Sequence, residues 1–144
     1  MEIEIITLEG CTCPSYACPL DAGMDVRARI DEELILKPLE RRLIPVGFKV
    51  SLPEEIEMQV RPKSGLAIKH GISVLNTPGT VDPGYKDEVG VILVNLSNKE
   101  FNILPGMRIA QVVFSKFEKV NWSNVSKFSS DEDRGGGFGS TGIK

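Results

Sequence analysis

The sequence contains no apolar run approaching the roughly 20 residues needed to span a bilayer as a helix, which argues against a membrane partner. It also lacks a basic leader. Met1-Glu2-Ile3-Glu4-Ile5-Ile6 carries two acids and does not resemble a signal or transit peptide, so the expected compartment is the cytosol. Positive charge is not in excess: 17 Lys and Arg face 20 Asp and Glu, a net charge of −3. That argues against a nucleic-acid or membrane-surface partner, and any polyanionic ligand must be met by cations gathered locally. Histidine is nearly absent, with His70 alone, and cysteine is limited to Cys11, Cys13 and Cys18. An odd, clustered set without a secretory leader implies reduced thiols. The three cysteines and His70 could make four zinc ligands on paper. However, C-x-C-x₄-C with Pro14 inside it is not a usual zinc spacing, and small, partly buried thiols are the preferred reading.

What is present is a globular composition, 41% apolar over 144 residues, enough for one domain with one core. Short apolar stretches alternate with turn residues. Glu2-Leu8, Leu34-Leu36, Arg42-Leu52, Glu57-Arg61, Ile72-Leu75, Glu88-Leu96, Phe101-Leu104 and Arg108-Phe117 read as strands. Pro78-Gly79, Pro83-Gly84 and Pro105-Gly106 punctuate them, and Leu96-Ser97-Asn98-Lys99 reads as a hairpin turn. The pattern predicts an all-β sandwich or barrel. One short helix is expected in the middle, with Ser64 as N-cap, Leu66-Ala67-Ile68-Lys69 as its body and Gly71 as its left-handed stop.

The chain divides into a body, residues 1–128, and a segment of different character, 129–144. The latter ends Arg134-Gly135-Gly136-Gly137-Phe138-Gly139-Ser140-Thr141-Gly142. Such a stretch can be a plain tail. It can also be a closing lid, since glycines let backbone N–H groups approach a phosphate and Phe offers a flat apolar face.

Five segments carry the chemistry. They are Ala22-Gly23-Met24-Asp25-Val26-Arg27-Ala28, Arg61-Pro62-Lys63-Ser64-Gly65-Leu66-Ala67, and the run from Leu75 to Glu88. The fourth is Gly106-Met107-Arg108-Ile109-Ala110-Gln111, and the fifth is the glycine-rich tail. A helix starting at Ser64-Gly65 presents free N–H groups, a natural seat for phosphate, although Ser64 also suits an ordinary capped helix. Capping does not explain the cations Arg61 and Lys63 beside it. Asn76, Pro78-Gly79 and Val81 read as a tight β-hairpin with exposed backbone donors and acceptors, or as a plain turn. Asp82 reads as a strand-end carboxylate able to order a water, or as a turn residue before Pro83-Gly84.

In order and separation, these five segments resemble the motifs of the trimeric dUTPase family, from about Pro14 to Gly142. The resemblance implies a jelly-roll-like β-barrel with one short helix and a flexible Gly-rich C-terminal tail. It implies a homotrimer with active sites shared between subunits, dUTP as substrate and Mg²⁺ as cofactor. Asp82 would hold the sugar 3′-hydroxyl and orient or deprotonate the attacking water. Ser64 and Gly65 would contact the α/β-phosphates beside Arg61 and Lys63. Asn76, Gly79 and Val81 would form the uracil pocket, and Tyr85 would pack under the sugar where a 2′-hydroxyl would stand. Asp25 and Gln111 would reach the metal only through water, with Mg²⁺ held mainly by substrate phosphates. Arg108 would shape the site and the subunit contact. Phe138 would cover the base and Arg134 reach the γ-phosphate, joined by Gly139, Ser140 and Thr141.

Three departures are visible. Lys63 stands where the family usually has Arg, keeping the charge but losing the planar fork. Asp87 stands where Gly is frequent. The tail motif is one residue shorter than Arg-Gly-x-Gly-Gly-Phe. Two rival readings remain, a dCTP deaminase of the same superfamily and a nucleotide-binding trimer with a degraded site. Tyr85 with the full tail motif argues against the first, and intact Asp82, Tyr85 and Gln111 against the second.

Overall fold

The computed structural model describes residues 1–142. Ile143 and Lys144, the end of the predicted lid segment, lie outside the described residues. Strand-forming alternation is plainest in β6 (Ile56–Arg61), where Ile56, Met58 and Val60 point into the core while Glu57, Gln59 and Arg61 face outward. Its neighbours are β11 (Arg108–Lys116) and β8 (Gly79–Val81), and β2 (Met24–Arg27) joins on the far side of β11. This four-stranded sheet, in the order β2-β11-β6-β8, carries most of the predicted motifs.

A second sheet orders β4 (Arg41–Pro45), β9 (Gly90–Asn95) and β7 (Ile72–Val74). Two-stranded sheets pair β1 (Glu4–Thr7) with β5 (Phe48–Ser51) and β10 (Phe101–Ile103) with β3 (Leu34–Leu36). Every pairing is antiparallel. All four sheets turn apolar faces to one core, in which Leu36, Phe48, Met58, Leu93 and Ile103 are shut off from water. The fold is therefore all-β with one short helix, as expected. Its strands form four separate sheets around that core and no closed ring among the described residues.

Four local expectations change. The run Arg42-Leu52 is not one strand: Val46-Gly47 breaks it, and β4 and β5 pair in different sheets. Gly47 has φ +79°, and a side chain there would collide with Cys11, so the chain turns at this glycine. Leu96-Lys99 does not close a hairpin, because β9 and β10 belong to different sheets. That loop is instead wound around buried Asn95, whose amide donates to the Leu36 and Lys99 carbonyls (2.9 and 2.7 Å) and accepts from the Ser97 N–H (2.9 Å). Likewise β7 and β8 do not pair, so Leu75–Pro78 crosses between sheets.

The helix, α1 (Ser64–His70), stops at left-handed Gly71 (φ 66°) as its sequence predicts, but Lys63 is its N-cap and makes no side-chain cap bond. Ser64 is the first helical residue. With no residue of α1 fully buried, Leu66 packs against the core and the His70 ring lies 5.2 Å from that of Phe101. After β11, residues 117–142 add neither strand nor helix, and they hold Val120, Trp122, Val125 and Phe128 exposed.

Candidate active site

The outward face of the four-stranded sheet gathers one group of predicted residues. Gln111 on β11 stands opposite both Asp25 of β2 and Arg61 of β6. Because side chains alternate, all three emerge on the same side of the sheet. Just past β6, Lys63 donates to Asp25 Oδ1, and Arg108 Nε stands 3.6 Å from Asp25 Oδ2. Asp25 thus sits between two cations and fixes both near one spot. Gln111 Nε2 donates to the Pro62 carbonyl (3.0 Å), tying the turn that carries Lys63 to β11. Arg61 is turned along its own strand, donating twice to Gln59 Oε1 (3.0 and 2.7 Å).

Asp25, Arg61, Lys63 and Gln111 line a cavity of about 340 Å³ with Ala17, Asp21, Ala22, Gly23 and Val113, while Arg108 reaches Asp25 from outside that lining. Half-buried Lys63 and exposed Arg61 offer this cavity positive charge for an anion of several charges. Ser64 and Gly65, exposed at the start of α1, follow directly on Lys63. Val113 was missed in the sequence, yet it lies two residues beyond Gln111 and shares its face by the two-residue period.

A second group lies elsewhere. Gly79 lies flat against β6, where an added Cβ would press on Val60 and the Asn76 amide. It is a strand residue, not the bend of a hairpin. β8 runs antiparallel to β6, pairing Gly79 with Val60 and Val81 with Met58. Asp82 therefore leaves β8 near the opposite end of β6 from Arg61, about 13 Å along at ~3.3 Å per residue.

Asp82 opens a turn closed by the Tyr85 N–H on its carbonyl (3.0 Å), and the Tyr85 hydroxyl donates to the Glu88 carbonyl (2.8 Å). Asp82, Tyr85, Val81 and Thr80 line a hollow of about 200 Å³ with Leu43, Glu88, Val89 and Gly90. Behind it, Arg29 holds the Glu88 carboxylate, and the Gly47 N–H adds a bond. Both keep that carboxyl below the ordinary glutamate range, the Arg29 hydrogen bond foremost.

The fifth motif joins neither cavity. Arg134, Phe138, Gly139, Ser140 and Thr141 are all exposed, and Phe138 protrudes from a turn in which Ser140 N–H donates to the Gly137 carbonyl (3.0 Å). Nor does the structure bring Asp82 and Tyr85 into the cavity that holds Asp25, Lys63 and Gln111.

A family model described as dUTPase matches residues 10–142. The chain belongs to the dUTPase family. Its activity is dUTP hydrolysis, that of a dUTP diphosphatase. It is 51% identical over 142 residues to the deoxyuridine 5′-triphosphate nucleotidohydrolase of Fusobacterium nucleatum, covering 99% of this chain and 97% of that one. The enzyme of the same name from Treponema denticola is 50% identical over 143 residues, covering 99% of each.

Among solved structures, a mutant dUTPase of Staphylococcus bacteriophage 80alpha with dUpNHpp superimposes with a TM-score of 0.87 over 99% of both chains, at 24% identity. A mutant dUTPase from phage phi11 of S. aureus, described with a structural Mg(II) ion, gives 0.81 at 21% identity and covers 90% of this chain and 100% of that one. At those identities the likeness establishes the dUTPase fold alone.

Proposed function

We propose that this dUTPase cleaves dUTP to dUMP and pyrophosphate by in-line attack of an Asp82-ordered water on the α-phosphorus. The observation that carries this reading is the sheet face where Asp25, Lys63, Gln111 and Arg61 line one cavity and Arg108 reaches Asp25 from beside it. Preset cations need no reorganisation as charge builds on the leaving pyrophosphate. Ser64 and Gly65 add backbone donors for the α/β-phosphates. Asp82 takes the sugar 3′-hydroxyl and receives a proton of the attacking water on its carboxylate. Tyr85 forms the floor under the sugar, while Asn76, Gly79 and Val81 read uracil.

The donor set fits Mg²⁺ of a particular kind. Asp25 is one carboxylate already facing two cations, so a divalent ion is favourable there only together with the triphosphate. Asp25 and Gln111 would then meet it through water, and the ion would supply charge neutralisation on the phosphate oxygens.

Within one protomer the two groups of residues line separate cavities. That supports a homotrimer in which one copy presents the cation cavity and another the Asp82–Tyr85 hollow. The tail would close over both, Phe138 on the base and Arg134, Gly139, Ser140 and Thr141 on the phosphates. The body 1–128 and lid 129–144 follow this division of labour. Cys11 is half-buried, but Cys13 and Cys18 are exposed, contrary to expectation; all three are free thiols, which suits a reducing cytosol. There the enzyme would limit uracil entry into DNA and supply dUMP for dTMP synthesis.

The test is pyrophosphate release from dUTP, UTP and dTTP, with Mg²⁺ and with chelator. Release should be Mg²⁺-dependent and strongly selective for dUTP. Equal kcat/KM for the three nucleotides would remove the assigned pocket.

A further inference from the structure

We propose that Arg29 and Glu88 form a brace behind the nucleoside hollow that positions Tyr85, making them positioning residues for selection of deoxyribose over ribose. This rests on the reading of Tyr85 as the floor under the sugar.

The brace is a fork-to-fork pair. Arg29 Nε donates to Glu88 Oε1 and its Nη2 to Oε2, both at 2.6 Å, a geometry that fixes orientation as well as distance. Oε1 also accepts the Gly47 N–H at 2.8 Å. Arg29 lies two residues beyond β2, Gly47 in the turn between β4 and β5, and Glu88 two residues before β9. One carboxylate therefore ties three segments that are distant in sequence. The adjoining residue is pinned as well: Val89 N–H donates to the Phe48 carbonyl (2.9 Å), and its carbonyl accepts from Val46 N–H (3.1 Å).

The Glu88 peptide is thus held by its side chain and by its neighbour in the chain. Its own carbonyl is the acceptor for the Tyr85 hydroxyl at 2.8 Å. Tyr85 is anchored at its other end by its N–H on the Asp82 carbonyl. Tyr85 is 42% exposed, so without the Glu88 anchor its ring is free to rotate outward. Rejection of one extra hydroxyl is steric, so it depends on where that ring stops. Arg29 itself lines a different hollow, with Cys11, Ala28 and Gly106. The side-chain bond by which a change there reaches the sugar is the one to Glu88.

The experiment compares full-length wild type with Arg29→Lys, which keeps the charge but loses the fork, and Glu88→Gln, which keeps the shape. The ratio of kcat/KM for dUTP to that for UTP should fall by about tenfold in both, the scale of one charge-assisted hydrogen bond. For Arg29→Lys the fall should come from improved use of UTP, with kcat for dUTP staying within about threefold. Amide exchange at Tyr85 and Lys86 should quicken by a similar factor of about ten. Equal losses with dUTP and UTP, or an unchanged ratio with unchanged exchange, would overturn the brace. Wild type that does not prefer dUTP to UTP would overturn the sugar-floor reading instead. In that event, faster exchange in Arg29→Lys would still show that the brace positions Tyr85.

Discussion

The two cavities are built on opposite principles. The cation cavity sits on the face of the largest sheet, and its residues come from β2, β6 and β11, strands whose other faces form the core. Position there is set by register: Gln111 faces Asp25 and Arg61 because β11 lies between β2 and β6. The nucleoside hollow depends on a turn leaving a three-residue strand, fixed by the Tyr85 hydroxyl and the Arg29–Glu88 fork. A site for a polyanion tolerates small displacements, because Coulomb attraction falls off gently with distance. A site that must reject one hydroxyl or one methyl does not, and it draws more ties from the surrounding fold.

Asp82→Asn strikes the nucleoside hollow hardest. It preserves volume and should leave dUTP binding nearly unchanged while lowering kcat by roughly 10²–10⁴. Single-turnover kinetics with a separate binding titration would check this, and near-normal turnover would end the assignment. Lys63→Met attacks the other cavity. It removes a charge-assisted bond, leaves Asp25 with Arg108 alone, and should lower kcat/KM by about 10- to 100-fold, mostly through kcat.

Mixing the two variants tests whether the cavities act across subunits. Neither protomer alone carries both intact cavities. After denaturation and renaturation at a 1:1 ratio, random assembly places both intact halves at about a quarter of shared sites. Recovery of near that share of wild-type turnover is expected. No recovery, in mixtures shown to contain both chains, would mean that each site is built within one protomer.

The smallest effect concerns acid stability. The folded pKa of Glu88 is lowered, chiefly by Arg29 and then by the Gly47 N–H, with Lys49 adding attraction. Its contribution is therefore present above the ordinary glutamate value of about 4.3 and lost as pH falls through the lower folded value. Glu88→Gln should flatten the acid limb of Tm against pH, leaving the residual slope to groups such as Glu40, whose pKa is lowered by the Lys37 N–H and Arg42. Thermal melts from pH 3 to 7, about the range of these carboxylates, would show parallel curves if Glu88 is not held ionised.

The all-β class, most strand positions, the short helix with its Gly71 stop and the motif residues of both cavities are legible in the residues alone. These are local properties: side-chain period, turn chemistry and residue type can be read within a window of a few residues. Which strands pair is settled only by the packed fold. It split Arg42-Leu52 at Gly47, sent β9 and β10 to different sheets, and made Leu75–Pro78 a crossing between sheets instead of a hairpin. It also placed Asp82 at the far end of β6 from Arg61, and joined Arg29 to Glu88 across 59 positions. Alternation tells which face a residue takes but not which strand lies beside it. That choice depends on how all the apolar faces close around one core, a condition set by the whole chain at once.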